Sequence, residues 1–180
     1  MNITNIKHQL RGIFSALAVA GALFALPGAT ADPPSHGQGA HGTFTDCEHI
    51  ITVTDYGSYL VIDLEITSTY TGTLEGTWEG TEEDVFYPDG YATVHNEGTF
   101  TGSVAGLSGT VRITATGGVR LGGFPGRPST APLVFDKGTG DLASLRGVGN
   151  LTDVFENIPV PPGCDDSFTG RYAAQIAFGP

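Results

Sequence analysis

Leu60-Val61-Ile62-Asp63-Leu64-Glu65-Ile66-Thr67 places an aliphatic side chain at every even position, opposite Val61, Asp63, Glu65 and Thr67. A period of two is that of a strand with one face buried and one wet. Wound as a helix, the same aliphatic residues would scatter around the axis and form no stripe. The pattern recurs along the chain. Ile51 and Val53 share parity with Cys47 and His49. Leu74 and Trp78 share a face across Gly76, while Thr73, Glu75, Thr77, Glu79 and Thr81 hold the other. Val111, Ile113 and Ala115 alternate with Thr110, Arg112, Thr114 and Thr116. Phe168, Tyr172, Ala174, Ile176 and Phe178 close the chain.

Turn signals separate these runs: Asp55-Tyr56-Gly57-Ser58, Pro88-Asp89-Gly90, Ala105-Gly106-Leu107-Ser108-Gly109 and the irregular stretch from Gly122 to Pro132. Seven or eight such strands predict an all-β barrel or sandwich, and the mid-strand glycines favour the barrel, where tight curvature needs them. Pro125, Gly126, Arg127 and Pro128 fit a rim loop over the barrel mouth.

Residues 1–31 carry the layout of a secretory signal peptide. Lys7 and Arg11 precede an apolar run from Ile13 to Leu26, then Pro27-Gly28 and Ala29-Thr30-Ala31 before Asp32. The run is too short for a comfortable membrane span. Residues 32–42 read as a flexible linker, with His36 and His41 solvated, and residues 43–180 as the barrel domain. The expected location is secreted, extracellular or periplasmic, with no membrane attachment after cleavage near Ala31. In an oxidising compartment Cys47 and Cys164 are candidates for a disulfide that closes most of the domain; two separate buried thiols are the alternative. They have no paired His nearby, so no metal site is expected.

The chain has 180 residues with 19 acidic and 8 basic side chains, a formal net charge of −11. Phosphate backbones and anionic lipid would be repelled, so nucleic acid is not an expected partner.

Gly138-Thr139-Gly140-Asp141-Leu142-Ala143-Ser144-Leu145-Arg146-Gly147-Val148-Gly149 resembles the signature of a bacterial family of uncharacterised proteins, DUF3224. Leu74-Glu75-Gly76 and the stretch from Glu97 to Gly109 resemble two further segments of that family. Thr99 is an extra residue between Glu97 and Phe100, and the cysteine pair and the Pro-rich stretch before Leu133 also depart from its pattern. The resemblance implies a single antiparallel eight-stranded barrel of the allene oxide cyclase type, with plant allene oxide cyclases and dirigent proteins as distant relatives. It implies no catalytic residue that can be matched here.

Candidate chemistry comes from the strands. Tyr91, Thr93, His95 and Glu97 share a face. Turned inward, His95 and Glu97 would form an acid/base pair; turned outward, they would be solvated. Arg112 would either pair with a carboxylate such as Glu97 on the next strand or anchor a ligand carboxylate. Tyr70, Trp78, Phe100 and Tyr172 are expected to face inward, as core packing or as a ligand platform. Glu75 and Glu79 would stand about 13 Å apart along a strand, too far for paired glycosidase carboxylates. Glu82-Glu83-Asp84 extends that acidity as a run without calcium-loop spacing. No cofactor is expected. The sequence therefore predicts a secreted barrel that binds a small apolar ligand. The alternatives are an isomerase or cyclase acting on a small hydrophobic substrate, and a structural envelope or interaction protein with a filled barrel.

Overall fold

The computed structural model describes residues 37–120, 130–154 and 159–179. The expected signal peptide, the first part of the expected linker with His36, and the core of the expected rim loop lie outside the described residues. The strands are β1 (Gln38–Asp55), β2 (Leu60–Gly72), β3 (Leu74–Phe86), β4 (Tyr91–Val104), β5 (Leu107–Arg120), β6 (Thr130–Gly140), β7 (Leu145–Val154) and β8 (Thr169–Phe178). Each pairs antiparallel with the next, and β8 pairs antiparallel with β1, so the eight close into a ring. Closure satisfies the edge groups that an open sheet would expose. β1 begins at Gln38, opposite Ile176 of β8, so residues 38–42 belong to the barrel and not to the lead-in.

Alternation sorts the side chains as the sequence predicts for most strands. Ile62, Leu64, Ile66, Tyr70, Leu74, Trp78, Phe100, Val111, Ile113, Tyr172, Ala174, Ile176 and Phe178 all face the core. In β1 the inward set is Ala40, Phe44, Asp46 and Glu48, and Cys47 and His49 occupy the other face. A register shift between Ile50 and Thr52 leaves Ile51 exposed and returns Val53 to the core. The shared parity of Ile51 and Val53 therefore does not give them a shared face, because a bulge adds one residue to the strand.

The mid-strand glycines have a use beyond curvature. A Cβ at Gly80 or Gly98 would stand 2.6 or 2.5 Å from the Trp78 ring, so these two glycines form the slot in which the indole lies. In the signature stretch, Gly140 adopts φ +62°, which suits glycine at the turn from β6 toward β7. A Cβ at Gly138 would meet the Leu142 carbonyl at 1.8 Å. Substitution at any of these four positions would displace backbone or an aromatic core ring.

The outer wall is polar. Thr169, Thr45, Thr69, Thr77, Thr101, Thr110 and Thr139 stand at successive paired positions from β8 through β1 to β6. Threonine suits a strand whose outer face is wet, and neighbouring hydroxyls bond across strands, as Thr110 and Thr139 do at 2.7 Å.

Candidate functional site

The two ends of the barrel differ. At the end holding the β2–β3, β4–β5 and β6–β7 turns, Leu74, Val104, Leu142 and Leu145 have no exposed surface and plug the ring. Phe44, Tyr70, Trp78, Phe100 and Tyr172 fill the middle. Tyr70 meets Phe44 at 5.5 Å, Phe100 at 5.9 Å and Tyr172 at 5.4 Å between ring centroids. The Tyr172 hydroxyl accepts from Leu74 N at 2.7 Å and donates to Thr71 O at 3.1 Å, and burial pushes its phenol pKa up. Trp78 Nε1 donates to Ile113 O at 3.3 Å. Tyr70, Trp78, Phe100 and Tyr172 thus face inward as expected, and they are at most 5% exposed.

Toward the other end the inner wall changes character. β2 contributes the aliphatic strip Ile62, Leu64 and Ile66. Glu48 of β1 lies opposite Ile66 on one side, and Glu82 and Asp84 of β3 lie opposite Leu64 and Ile62 on the other. Asp46, Glu48 and Glu82 are buried, at 5, 8 and 8% exposure. Asn96 bridges this wall to β5: its Nδ2 donates to Glu82 Oε2 at 3.1 Å, and its Oδ1 accepts from Ala115 N at 2.9 Å. Glu48 has a pKa raised well above the ordinary carboxyl value. Burial is the larger cause, followed by the charges of Glu82, Asp46, Asp84 and Asp166, all of them acidic.

The segment before β8 fastens this region. Glu48 N donates to Asp166 O at 3.0 Å, Asp165 N donates to Glu48 O at 2.7 Å, and Ile50 N donates to the Asp165 carboxylate at 3.1 Å. Ser167 Oγ donates to Asp46 O at 2.5 Å. The Cys47–Cys164 disulfide, with Cα atoms 5.3 Å apart across a sequence separation of 117, ties the same segment to β1.

His95 and Glu97 lie on the outer face, both exposed. His95 Nδ1 is 2.8 Å from Thr116 Oγ1, and Glu97 accepts from Arg112 Nη1 at 3.0 Å. The two do not line the interior that an acid/base pair would need. Arg112 also lies outside. It donates twice to Asp136, at 2.6 Å each, which raises its own pKa and lowers that of Asp136. Of the two readings of Arg112, the structure shows the cross-strand pair with Glu97.

Sequence reasoning did not single out Asp46 or Glu48, and it read Glu82 and Asp84 only as part of an acidic run. The signal was available in parity. Asp46 and Glu48 continue the even positions of Phe44, and Glu82 and Asp84 continue those of Leu74 and Trp78.

The fold and this wall define a class: a small antiparallel barrel, plugged at one end, with carboxyl side chains buried in the wall toward the other. A family described as a protein of unknown function, DUF3224, matches residues 40–155, and the chain belongs to that family. The crystal structure of a DUF3224 family protein of unknown function from Shewanella oneidensis MR-1 is similar, with a TM-score of 0.61 and 17% identity, covering 80% of this chain and 99% of that one. That likeness is one of fold. No curated protein matches the chain.

Proposed function

We propose that this is an exported ligand-binding barrel that takes a small molecule at its carboxyl-lined end. The observation that carries the reading is Glu48, 8% exposed and surrounded by acidic charge. Burying a carboxyl among carboxyls is costly unless something compensates it. A ligand carrying an ammonium group on a short apolar body would do so, with its body on Ile62, Leu64 and Ile66. The middle of the barrel, filled by Phe44, Tyr70, Trp78, Phe100 and Tyr172, favours this over a wholly apolar ligand held there.

Export is supported by the basic-apolar-small layout of residues 1–31 and by the Cys47–Cys164 bridge. The threonine-rich outer wall supports a barrel in water, since a barrel in lipid needs an apolar outer band. The eight-stranded closed ring is compatible with the allene oxide cyclase type. A cyclase would need its proton-transfer groups inside, where Glu48 and Glu82 stand and His95 and Glu97 do not.

The test is thermal denaturation with hexylamine, hexanol and hexanoate, followed by a longer series of alkyl and aryl amines. Amines that raise Tm in the native protein and not in Glu48→Gln support the reading. Equal shifts from amine, alcohol and acid, or no shift from any amine, refute it.

A further inference from the structure

Outside the barrel, at the rim of the acidic end, four tyrosines form a row. Tyr56 and Tyr59 come from the β1–β2 turn, Tyr87 from the β3–β4 turn and Tyr91 from the first position of β4 just after it. Ring centroids step along the row by 4.8, 6.2 and 6.1 Å. All four are exposed, Tyr56 by 58% and the others by 36–41%. The turns that carry them are well tied. Tyr56 N donates to Tyr59 O, Tyr87 N to Tyr91 O, and Asp55 and Asp89 each accept from a backbone N–H two residues on. The row ends against β5, where a Cβ at Gly118 would stand 2.1 Å from the Tyr91 hydroxyl. Exposed tyrosines held this way lose little entropy on contact, which makes them good binding anchors.

Three observations choose the occupant. The sheet is a closed ring, so a partner strand cannot add to an edge and contact falls to side chains. The net charge of −11 attracts basic partners and repels acidic ones. The third is local. Tyr56 and Tyr59 stack at 20°, whereas Tyr59 and Tyr87 are tilted by 40°, so the ring faces of the row do not all point the same way. Val61 and Val85 face outward at paired positions on β2 and β3. Asp63, which also accepts from Thr52 Oγ1, and Glu83 form the next outward pair, about 7 Å further along the strands. Exposed tyrosine rings, the neighbouring valine pair and a pair of carboxylates suit the parts of an arginine side chain. Its planar guanidinium stacks on aromatic faces and forks onto carboxylates, and its stem is apolar. Three centroid steps make the row longer than one residue.

The geometry points to this tyrosine row as a docking surface for an extended, arginine-bearing segment of a partner protein. It is independent of the interior site.

The experiment is fluorescence anisotropy on the disulfide-intact protein with a labelled peptide of four Gly-Ser-Arg repeats. The matched lysine and glutamate peptides and a neutral β-glucan tetraose are the comparisons. The arginine peptide binds about tenfold more tightly than the lysine peptide, and the glutamate peptide does not bind. Tyr87→Ser weakens the arginine peptide by about tenfold. Glu83→Gln, which leaves the row whole, weakens it by about threefold. Val148→Ser, on exposed β7, changes nothing. Equal binding of the arginine and lysine peptides, unmoved by Tyr87→Ser, overturns the proposal in favour of net charge alone. Glucan binding that Tyr87→Ser abolishes, without arginine-peptide binding, overturns it in favour of a glycan surface.

Discussion

Leu74, Val104, Leu142 and Leu145 close one end of the barrel with no surface in water, while toward the other end the wall carries Asp46, Glu48 and Glu82 at 5–8% exposure. Both regions are buried, but burial means opposite things in them. Removing apolar surface from water stabilises the fold at the plugged end. At the acidic end the same loss of water raises the Glu48 pKa and costs stability whenever that carboxyl is ionised. The plugged end is held by packing and by backbone bonds between its turns, from Thr73 N to His41 O, Ala105 N to Thr73 O and Asp141 N to Ser108 O. The acidic end is held by fastenings, namely the Cys47–Cys164 bridge, the Asp165 and Asp166 contacts and the Asn96 bridge. A wall that has to be fastened is where a site can be kept.

The comparison can be broken in four places. The largest effect is expected from Cys47→Ser with Cys164→Ser, which should cost about 2–5 kcal/mol in urea denaturation. Hydrogen exchange should rise first around Glu48 and Asp166 and last around Leu74 and Leu142; uniform loosening would deny the bridge its local role.

Leu142→Ala at the plugged end comes next, at about 2–5 kcal/mol for a large-to-small change in a packed core. A cost below about 1 kcal/mol would mean that this end repacks freely and is no plug.

Glu48→Gln should act in the other direction. The folded pKa of Glu48 is raised, so its contribution to stability is fully present below the ordinary carboxyl range and is lost as pH rises through the folded value. Urea melts should therefore show the variant near wild type at about pH 4 and more stable by about 1–3 kcal/mol at about pH 8. A variant less stable than wild type at both pH values would mean that the ionised Glu48 is satisfied in the fold.

The smallest effect is expected on the outer wall. Arg112→Ala removes two ion pairs at the surface, and a urea midpoint close to that of wild type is expected in the same assay. A midpoint shift as large as that of Leu142→Ala would show that the Glu97–Arg112–Asp136 triad holds strands β4 to β6 together.

Much of the barrel was legible in the chain. The even positions of Leu60 to Ile66 and of Tyr172 to Phe178 face the core because a strand's side chains alternate regardless of what the strand packs against. Tyr70, Trp78, Phe100 and Tyr172 were found for the same reason. The acidic wall is not legible in the same way. Carboxyl residues are assigned to the wet face, and Glu82-Glu83-Asp84 looks like a solvated run unless its parity is carried forward from Trp78. β1 was harder, because the bulge at Ile51 changes which parity is inward, and local sequence does not announce a bulge. His95, Glu97 and Arg112 were visible as residue types that carry chemistry, but their side of the wall was not.

The sequence by itself determined the strand pattern, the turns, the acidic balance and the presence of two cysteines able to pair. These depend on composition and on spacing within a few residues. Tertiary structure alone decided that β8 returns to β1 and that Glu48 stands among the charges of Glu82, Asp84 and Asp166. It also decided that tyrosines from two separate turns form one row. Each of these joins residues far apart in the chain. Such contacts are fixed by how strands twist and close into a ring, and that is a property of the whole sheet.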